Sequence, residues 1–535
     1  MRIAKSRQLM TRRQLLVSGT ALGGAWIAGL PGAARGQAPG LVTPDRMRPQ
    51  ALQGIMSGDA TASEAVIWSR ADRPARMLIE YATSESFADV RRVRGSQATE
   101  ATDFTTRAVL TGLPAGQEIF YRVTYLDLGD LKTTSVPVTG RLRTAPAGRR
   151  DIMFQWSGDT AGQGWGINPD WGGMKIYETM RRAQPDFFIH NGDNIYADGP
   201  IPAEVKLADN SLWKNITTPE KSKVAETLDE FRGAYRYNLL DANLRRFNAE
   251  VPQIWQWDDH EVMNNWSPGK DLSQDPRYTE KRVPILVSRA ARAFLDYAPM
   301  RPSNEEMERV YRRIPYGPSL DVFVIDMRSY RGANGYNRQA AAGEDTAYLG
   351  REQIRWLKQG LLASTATWKV IASDMPLGIT VEDGKDSEGR MKYENSANGD
   401  GPALGRELEI ADLLSAIKHN GVKNVVWLTA DVHYTAAHYF DPAKAQFTDF
   451  DPFWEFVSGP LHAGTFGPNA LDNTFGPQVM FQKAPANGQQ NLPPTAGMQF
   501  YGEVKIDGRS EGMNVALKDL TGATLWQTTI EPQRG

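Results

Sequence analysis

Apolar and polar positions alternate with period two in the first part of the chain. Residues 64–69, 76–81 and 119–123 carry this pattern, and Leu113-Pro114-Ala115-Gly116 supplies a turn before the last of them. Such alternation predicts half-buried strands, and a small fibronectin type III-like sandwich over residues 45–146. Beyond Pro146-Ala147-Gly148, which reads as a linker, the pattern changes. Six apolar runs now lead into, or end in, polar residues. Ile152-Met153-Phe154 leads to Asp159, and Phe187-Phe188-Ile189 leads to Asp193. Ile254-Trp255 leads to Asp258-Asp259-His260, and residues 322–325 end in Asp326. Val370-Ile371 ends near Asp374, and residues 425–428 lead to Asp431 and His433. One acidic strand end is a common accident. Six suggest that strand ends converge on a shared site, where loops on a rigid sheet carry function.

Apolar spacings of three and four predict helices over 174–183, 227–248, 283–297, 351–362 and 404–419. Strands alternating with helices imply α/β layering over residues 150–535. The polar stretch 199–226 reads as a loop over the site. Segment 440–500, rich in Pro, Gly and Asn, reads as a wrap around the core, and residues 499–530 as closing antiparallel strands.

Composition narrows the chemistry. The 535 residues include no Cys, which excludes disulfides, thiolate metal sites and thiol nucleophiles. Any metal must take Asp, His, Asn, Glu or Tyr. Thr11-Arg12-Arg13-Gln14-Leu15-Leu16 precedes a modest apolar stretch and then small residues near 33–38. Residues 1–38 are therefore expected to be a Tat export signal, engaging the Tat machinery and directing the protein to the periplasm or outside the cell. No segment is apolar over the roughly 20 residues that a membrane anchor requires. Residues 1–38 hold six of the 61 Lys and Arg and none of the 63 Asp and Glu, so their removal leaves 55 against 63, a net charge of −8. Stable binding to nucleic acid or anionic membranes is not expected from that balance.

Three stretches carry the candidate chemistry. In His190-Asn191-Gly192-Asp193-Asn194-Ile195-Tyr196-Ala197-Asp198, an Asp and a Tyr lie three positions apart. An Asp oxygen can bridge two cations held about 3.5–4 Å apart, and a phenol suits a hard trivalent ion. Residues 257–266, WDDHEVMNNW, offer carboxylates, an imidazole and carboxamides between tryptophans that suggest burial. Residues 430–434, ADVHY, place Asp431 and His433 on one side of an extended strand end.

In this order and at these separations, the three stretches resemble the alkaline phosphatase D (PhoD-type) family. Residues 325–331 (IDMRSYR), 349–353 (LGREQ) and 455–460 (EFVSGP) extend the resemblance. It implies a metallophosphoesterase sandwich of two mixed β-sheets flanked by helices, acting on phosphate monoesters and diesters with iron and calcium. One departure stands out: the family commonly ligates iron through a Cys after the first catalytic strand, and here that region is Ser157-Gly158-Asp159-Thr160-Ala161-Gly162. This is similar to the GDxG motif of purple acid phosphatases, so the role passes to Asp159. The metals are then Fe(III) with Ca, or Zn or Mn. By the same resemblance, Asp159, Asp193, Tyr196 and His433 would hold a first ion, with Asp193 bridging. Asp259, Asp431 and Asn265 would hold a second. His260 would serve the leaving group, and Asn194 and Arg328 would contact phosphate, Arg328 equally serving as a structural partner of Asp326. Asp374 and His438 stay open between a site role and a structural one.

The expectation is an exported enzyme that hydrolyses small-molecule or lipid phosphate esters by attack of a metal-bound hydroxide. A phosphodiesterase or phospholipase D-like enzyme and a non-catalytic phosphate- or metal-binding protein are the alternatives.

Overall fold

Long apolar runs become strands buried on both faces, because each of two sheets is covered on one side by the other sheet and on the other side by helices. The computed structural model describes residues 44–303 and 305–534. The expected export signal, residues 1–38, lies outside the described residues.

The first sheet has nine strands. Its centre is Ile152–Ser157, Phe187–Asn191 and Gln253–Gln256, paired in parallel. The closing strands Phe500–Ile506, Met513–Asp519 and Thr524–Ile530 flank this centre as an antiparallel meander. The second sheet has seven strands, in the order Arg312–Pro315, Leu320–Val324, Trp368–Ala372, Val425–Thr429, Phe453–Val457, Thr435–Phe440 and Pro477–Lys483. Four of them, from Leu320–Val324 to Phe453–Val457, run parallel. Phe154, Ile189 and Val504 of the first sheet pack against Val322, Val370, Leu428 and Phe456 of the second. The outer face of the first sheet packs under the helices Lys175–Arg182, Leu228–Asn238, Ala242–Glu250 and Val283–Tyr297. That of the second packs under Arg351–Ala363 and Glu407–His419. This is the expected sandwich of two mixed sheets flanked by helices.

Three local expectations need correction. The single helix expected over 227–248 is two helices. The break comes at Asp241, whose carboxylate caps the second helix through the amide of Leu244 and also accepts from the amide of Met174, the local competition that favours Asp at caps. The 199–226 loop contains a short hairpin, Glu204–Lys206 with Leu212–Lys214. The 440–500 wrap includes Phe453–Val457, an interior strand. Its Glu455 is fully buried, with one carboxylate oxygen 2.9 Å from His438 Nδ1 and the other accepting from the amide of Leu377.

The β-rich N-terminal region is not separate from the catalytic sheet. Its strands Ile55–Gly58, Glu64–Arg70 and Thr105–Thr111 continue the nine-stranded sheet beyond Gln253–Gln256. A four-stranded sheet, from Arg91–Ala98 through Ala75–Ala82 and Glu118–Asp127 to Val138–Arg143, closes over them around Ile67, Met77, Ile79, Tyr121 and Leu142.

Candidate metal centre

Asp159, Asp193, Asp258–His260, Asp374 and Asp431 all follow the carboxyl ends of parallel strands, so the two sheets bring them to one rim. Directly after a strand the chain must turn sharply. Asp159, Asp193, Asn265, Asp431 and His433 all sit at φ between 51° and 70°. Side chains rarely adopt this left-handed region, Asp and Asn least reluctantly, and such strain gathers at functional sites. Two glycines make the approach possible. A Cβ on Gly192 would fall 2.4 Å from that of Asp258, and one on Gly459 would fall 2.1 Å from Asp159 Oδ2.

Three groups of side chains have ligand atoms within 4.8 Å of one another: Asp159, Asp193 and His433; Asp193, Asp259 and His260; Asp258, Asp259 and Asp431. Asp193 belongs to the first two and Asp259 to the last two, so the groups form a chain of adjoining cation positions. Both carboxylate oxygens of Asp159 and Oδ1 of Asp259 are buried without a hydrogen-bond partner. Uncompensated buried carboxylates are costly. Burial pushes the carboxyls of Asp159 and Asp193 well above the usual range, and Asp259 and Glu261 add to that against the opposing charge of His260. Cations here would satisfy these oxygens and let them ionise, and the oxygen-rich donor set suits hard metals.

His433 Nδ1 faces the carbonyl of Gly464, and its Nε2 lies 2.8 Å from the Tyr196 hydroxyl. Burial lowers its pKa to about 4, keeping the imidazole neutral as a ligand must be. Tyr196 is itself 1% exposed, so its phenol reaches the first group from within the protein. His260 Nδ1 lies 2.6 Å from Asp198 Oδ1, and Asp198 Oδ2 accepts from the amide of Asn264. Nε2 is left on the side of Asp259, 4.0 Å from Oδ1. Burial opposes charge on this ring, but Asp198, Asp259 and Asp193 outweigh it and raise its pKa well above the ordinary value. A cavity of about 540 Å³ opens over these residues, with Phe466, Val381 and Val432 among its walls.

Two expected phosphate contacts are placed otherwise. Asn194 turns its amide nitrogen inward to the carbonyl of Gln256, 2.7 Å, and to Glu261, 2.9 Å; its unpartnered atom is Oδ1, an acceptor, which cannot donate to phosphate. Arg328 is fully buried beneath the rim, where its guanidinium binds Asp258, Asp374 and Glu394. Its charge is consumed by acids and no surface remains for substrate. The guanidinium does not pair with Asp326 either, whose Oδ1 accepts from the amides of Arg328 and Ser329. Asn265 lines the cavity, but its carboxamide oxygen accepts from Asn264 Nδ2, 2.7 Å. Asp374 pairs with Arg328, and the His438 ring pairs with Glu455.

Sequence reasoning gave no role to Asp198, Asp258 or Glu394. Asp198 closes the same nine-residue stretch as Asp193, and its carboxylate spacing from Tyr196 was the available signal. Glu394 had none, because only folding brings its segment to Arg328.

Known proteins are similar to most of this chain. The family model for PhoD-like phosphatase matches residues 154–517, and that for the PhoD-like phosphatase N-terminal domain matches residues 36–146. Alkaline phosphatase D of Bacillus subtilis (strain 168) is 26% identical over 447 residues, 79% of this chain and 71% of that protein. The structure of PhoD superposes with a TM-score of 0.66 at 21% identity, covering 91% of this chain and 94% of that one. The purple acid phosphatase PPD1 of yellow lupin (Lupinus luteus) gives 0.54 at 12% identity, covering 90% and 74%.

Proposed function

Since the chain belongs to the PhoD-like phosphatase family and is a metal-dependent phosphoesterase, we propose that it is an exported hydrolase of phosphate mono- and diesters whose ions are Fe(III) and Ca. The observation that carries this reading is the pair of adjoining groups sharing Asp193, with the unpartnered oxygens of Asp159 beside it. Asp159, Asp193, Tyr196 and His433 would hold the Fe(III), and Asp193, Asp259, Asp431 and Asn265 the neighbouring ion. Bound there, the ions would supply Lewis acidity and an acidified water. Tyr196 supports the choice of Fe(III), as a phenol and carboxylates favour a hard ion in a chain without thiols.

The chain's own residues then orient and protonate. Asp198 accepts a hydrogen bond from the Nδ1–H of His260, which fixes the ring with Nε2 toward the cavity. From Nε2, His260 delivers a proton to the departing ester oxygen. Arg328 stays behind the rim and holds Asp258 and Glu394 in place. The cavity has room beyond a phosphoryl group, which accommodates the second alcohol of a diester. The twin-arginine stretch supports export through the Tat pathway to the periplasm or outside the cell, and no described helix is long and apolar enough to cross a membrane.

Asp193→Ala tests the centre. The variant is expected to lose bound metal and at least about 1,000-fold in turnover of mono- and diester nitrophenyl substrates, the scale of losing a principal electrostatic element. Near-normal turnover, or full metal content by elemental analysis, would remove Asp193 from the centre.

A further inference from the structure

Among the described residues lining the catalytic cavity, Arg277 is the only Arg or Lys. The acids there are Asp193, Asp198, Asp259, Glu394 and Asp431. They belong to the metal groups or serve His260 and Arg328, whereas Arg277 belongs to none of these. Its guanidinium is nonetheless held in place. Nε donates to both oxygens of Asp275, 3.0 and 3.1 Å, and Nη2 to Oδ2, 2.7 Å. The same guanidinium lies 5.7 Å from the centre of the Tyr278 ring. Among the described residues, Nη1 has no hydrogen-bond acceptor. The segment just beyond is pinned, because Glu226 accepts from the amides of Thr279 and Glu280.

Arg277 lines the same cavity as His260 and the Asp198 that holds the His260 ring through Nδ1. A preorganised guanidinium with a free donor is suited to a planar or tetrahedral oxyanion. The scissile phosphoryl group has the metal positions for its own charge. We infer that Arg277 is a specificity residue that reads a second oxyanion, carried on the alcohol portion of the ester. This rests on the hydrolase reading above and names the substrate class within it: phosphate esters of anionic alcohols rather than neutral ones.

Phenyl phosphate and 4-carboxyphenyl phosphate differ by that one group, and an esterified diphosphate offers a phosphate in place of the carboxylate. For a half-exposed cation, Arg277→Ala is expected to lower kcat/KM on the two esters that carry a second anionic group by about three- to tenfold, mostly through KM, and on phenyl phosphate by less than about twofold. Arg277→Lys should restore part of the difference. Raising ionic strength from about 0.05 to 0.5 M should shrink the wild-type preference, since exposed charges are screened over a few ångströms at that salt. Loss on only one of the two esters with a second anionic group would identify which oxyanion is read. Equal loss on all three esters would make Arg277 a loop-holding residue, and no loss on any would remove it from recognition; either result overturns the inference. Failure of the wild-type enzyme on every ester would instead overturn the hydrolase reading itself.

Discussion

Five of the candidate ligands adopt a backbone conformation that a side chain normally avoids, and each lies just past a strand end or in the loop that follows. The geometry aims Asp159, Asp193, Asp431 and His433 back across the rim. Tyr196 does something different. Its ring is buried against Gly162, where even a Cβ would come within 2.6 Å, and its hydroxyl meets His433. Tyr196→Phe keeps this packing and removes one oxygen. If that oxygen binds Fe(III), the wild-type protein is coloured and the variant loses its visible absorption band and about 10–100-fold or more in metal affinity. Optical spectroscopy with iron analysis checks this: a variant that keeps both the band and the iron would exclude the phenol as a ligand.

At the scale of elements, parallel strands set the rim and loops complete it. The 199–226 segment and the loop bearing Arg277 are joined by Glu226, which accepts from the amides of Thr279, 2.6 Å, and Glu280, 2.7 Å, and from the Thr279 hydroxyl, 2.8 Å. Burial alone would raise this carboxyl, but those donors and Lys223 hold it down at about 2 against an ordinary 4.5. A depressed folded pKa stabilises above the unfolded value and ceases to do so as pH falls through the folded one. Glu226→Gln is therefore expected to be less stable than wild type by about 1–3 kcal/mol near neutral pH, the size of losing a charge-assisted hydrogen-bond set. The gap should close as pH drops from about 4.5 to about 2. Denaturant melts across that window measure it, and a gap that persists unchanged at low pH would show that the carboxylate charge is not its source.

At the scale of the molecule, the N-terminal strands and the catalytic core share one sheet, and residues 45–535 form a single compact unit. Further ties cross the boundary seen in the sequence. Asp59 is bound by Arg312, and the Trp68 indole donates to the carbonyl of Asp296, 2.8 Å. A chain beginning at residue 147 would expose the edge of Gln253–Gln256 and the apolar surface at Tyr297 that Trp68 covers. It is expected to be insoluble or unfolded, since bare edges and apolar patches drive aggregation. Residues 45–535 are expected to melt in one calorimetric transition. Two resolved transitions, or a soluble and active truncated chain, would show that the two parts fold independently.

Much was readable before any coordinates. Local periodicity marks Phe187–Asn191, Val425–Thr429 and Val283–Tyr297, because the spacing of apolar side chains is imposed by the element itself. The acids after those strands point to a metal centre, because carboxylates, His and Tyr on adjacent rims have little other use, and the missing Cys is a fact of composition. What remained hidden is pairing between distant segments. No local pattern tells that Ile55–Gly58 adds to the catalytic sheet, or that Glu455 sits in an interior strand opposite His438. The same limit governs Arg328 and Arg277. By residue type both suit phosphate. Folding buries the first among Asp258, Asp374 and Glu394 and leaves the second at the mouth of the cavity. Residue type therefore determined the chemistry available to this protein, and the tertiary structure decided which charges are buried among partners and which line the cavity.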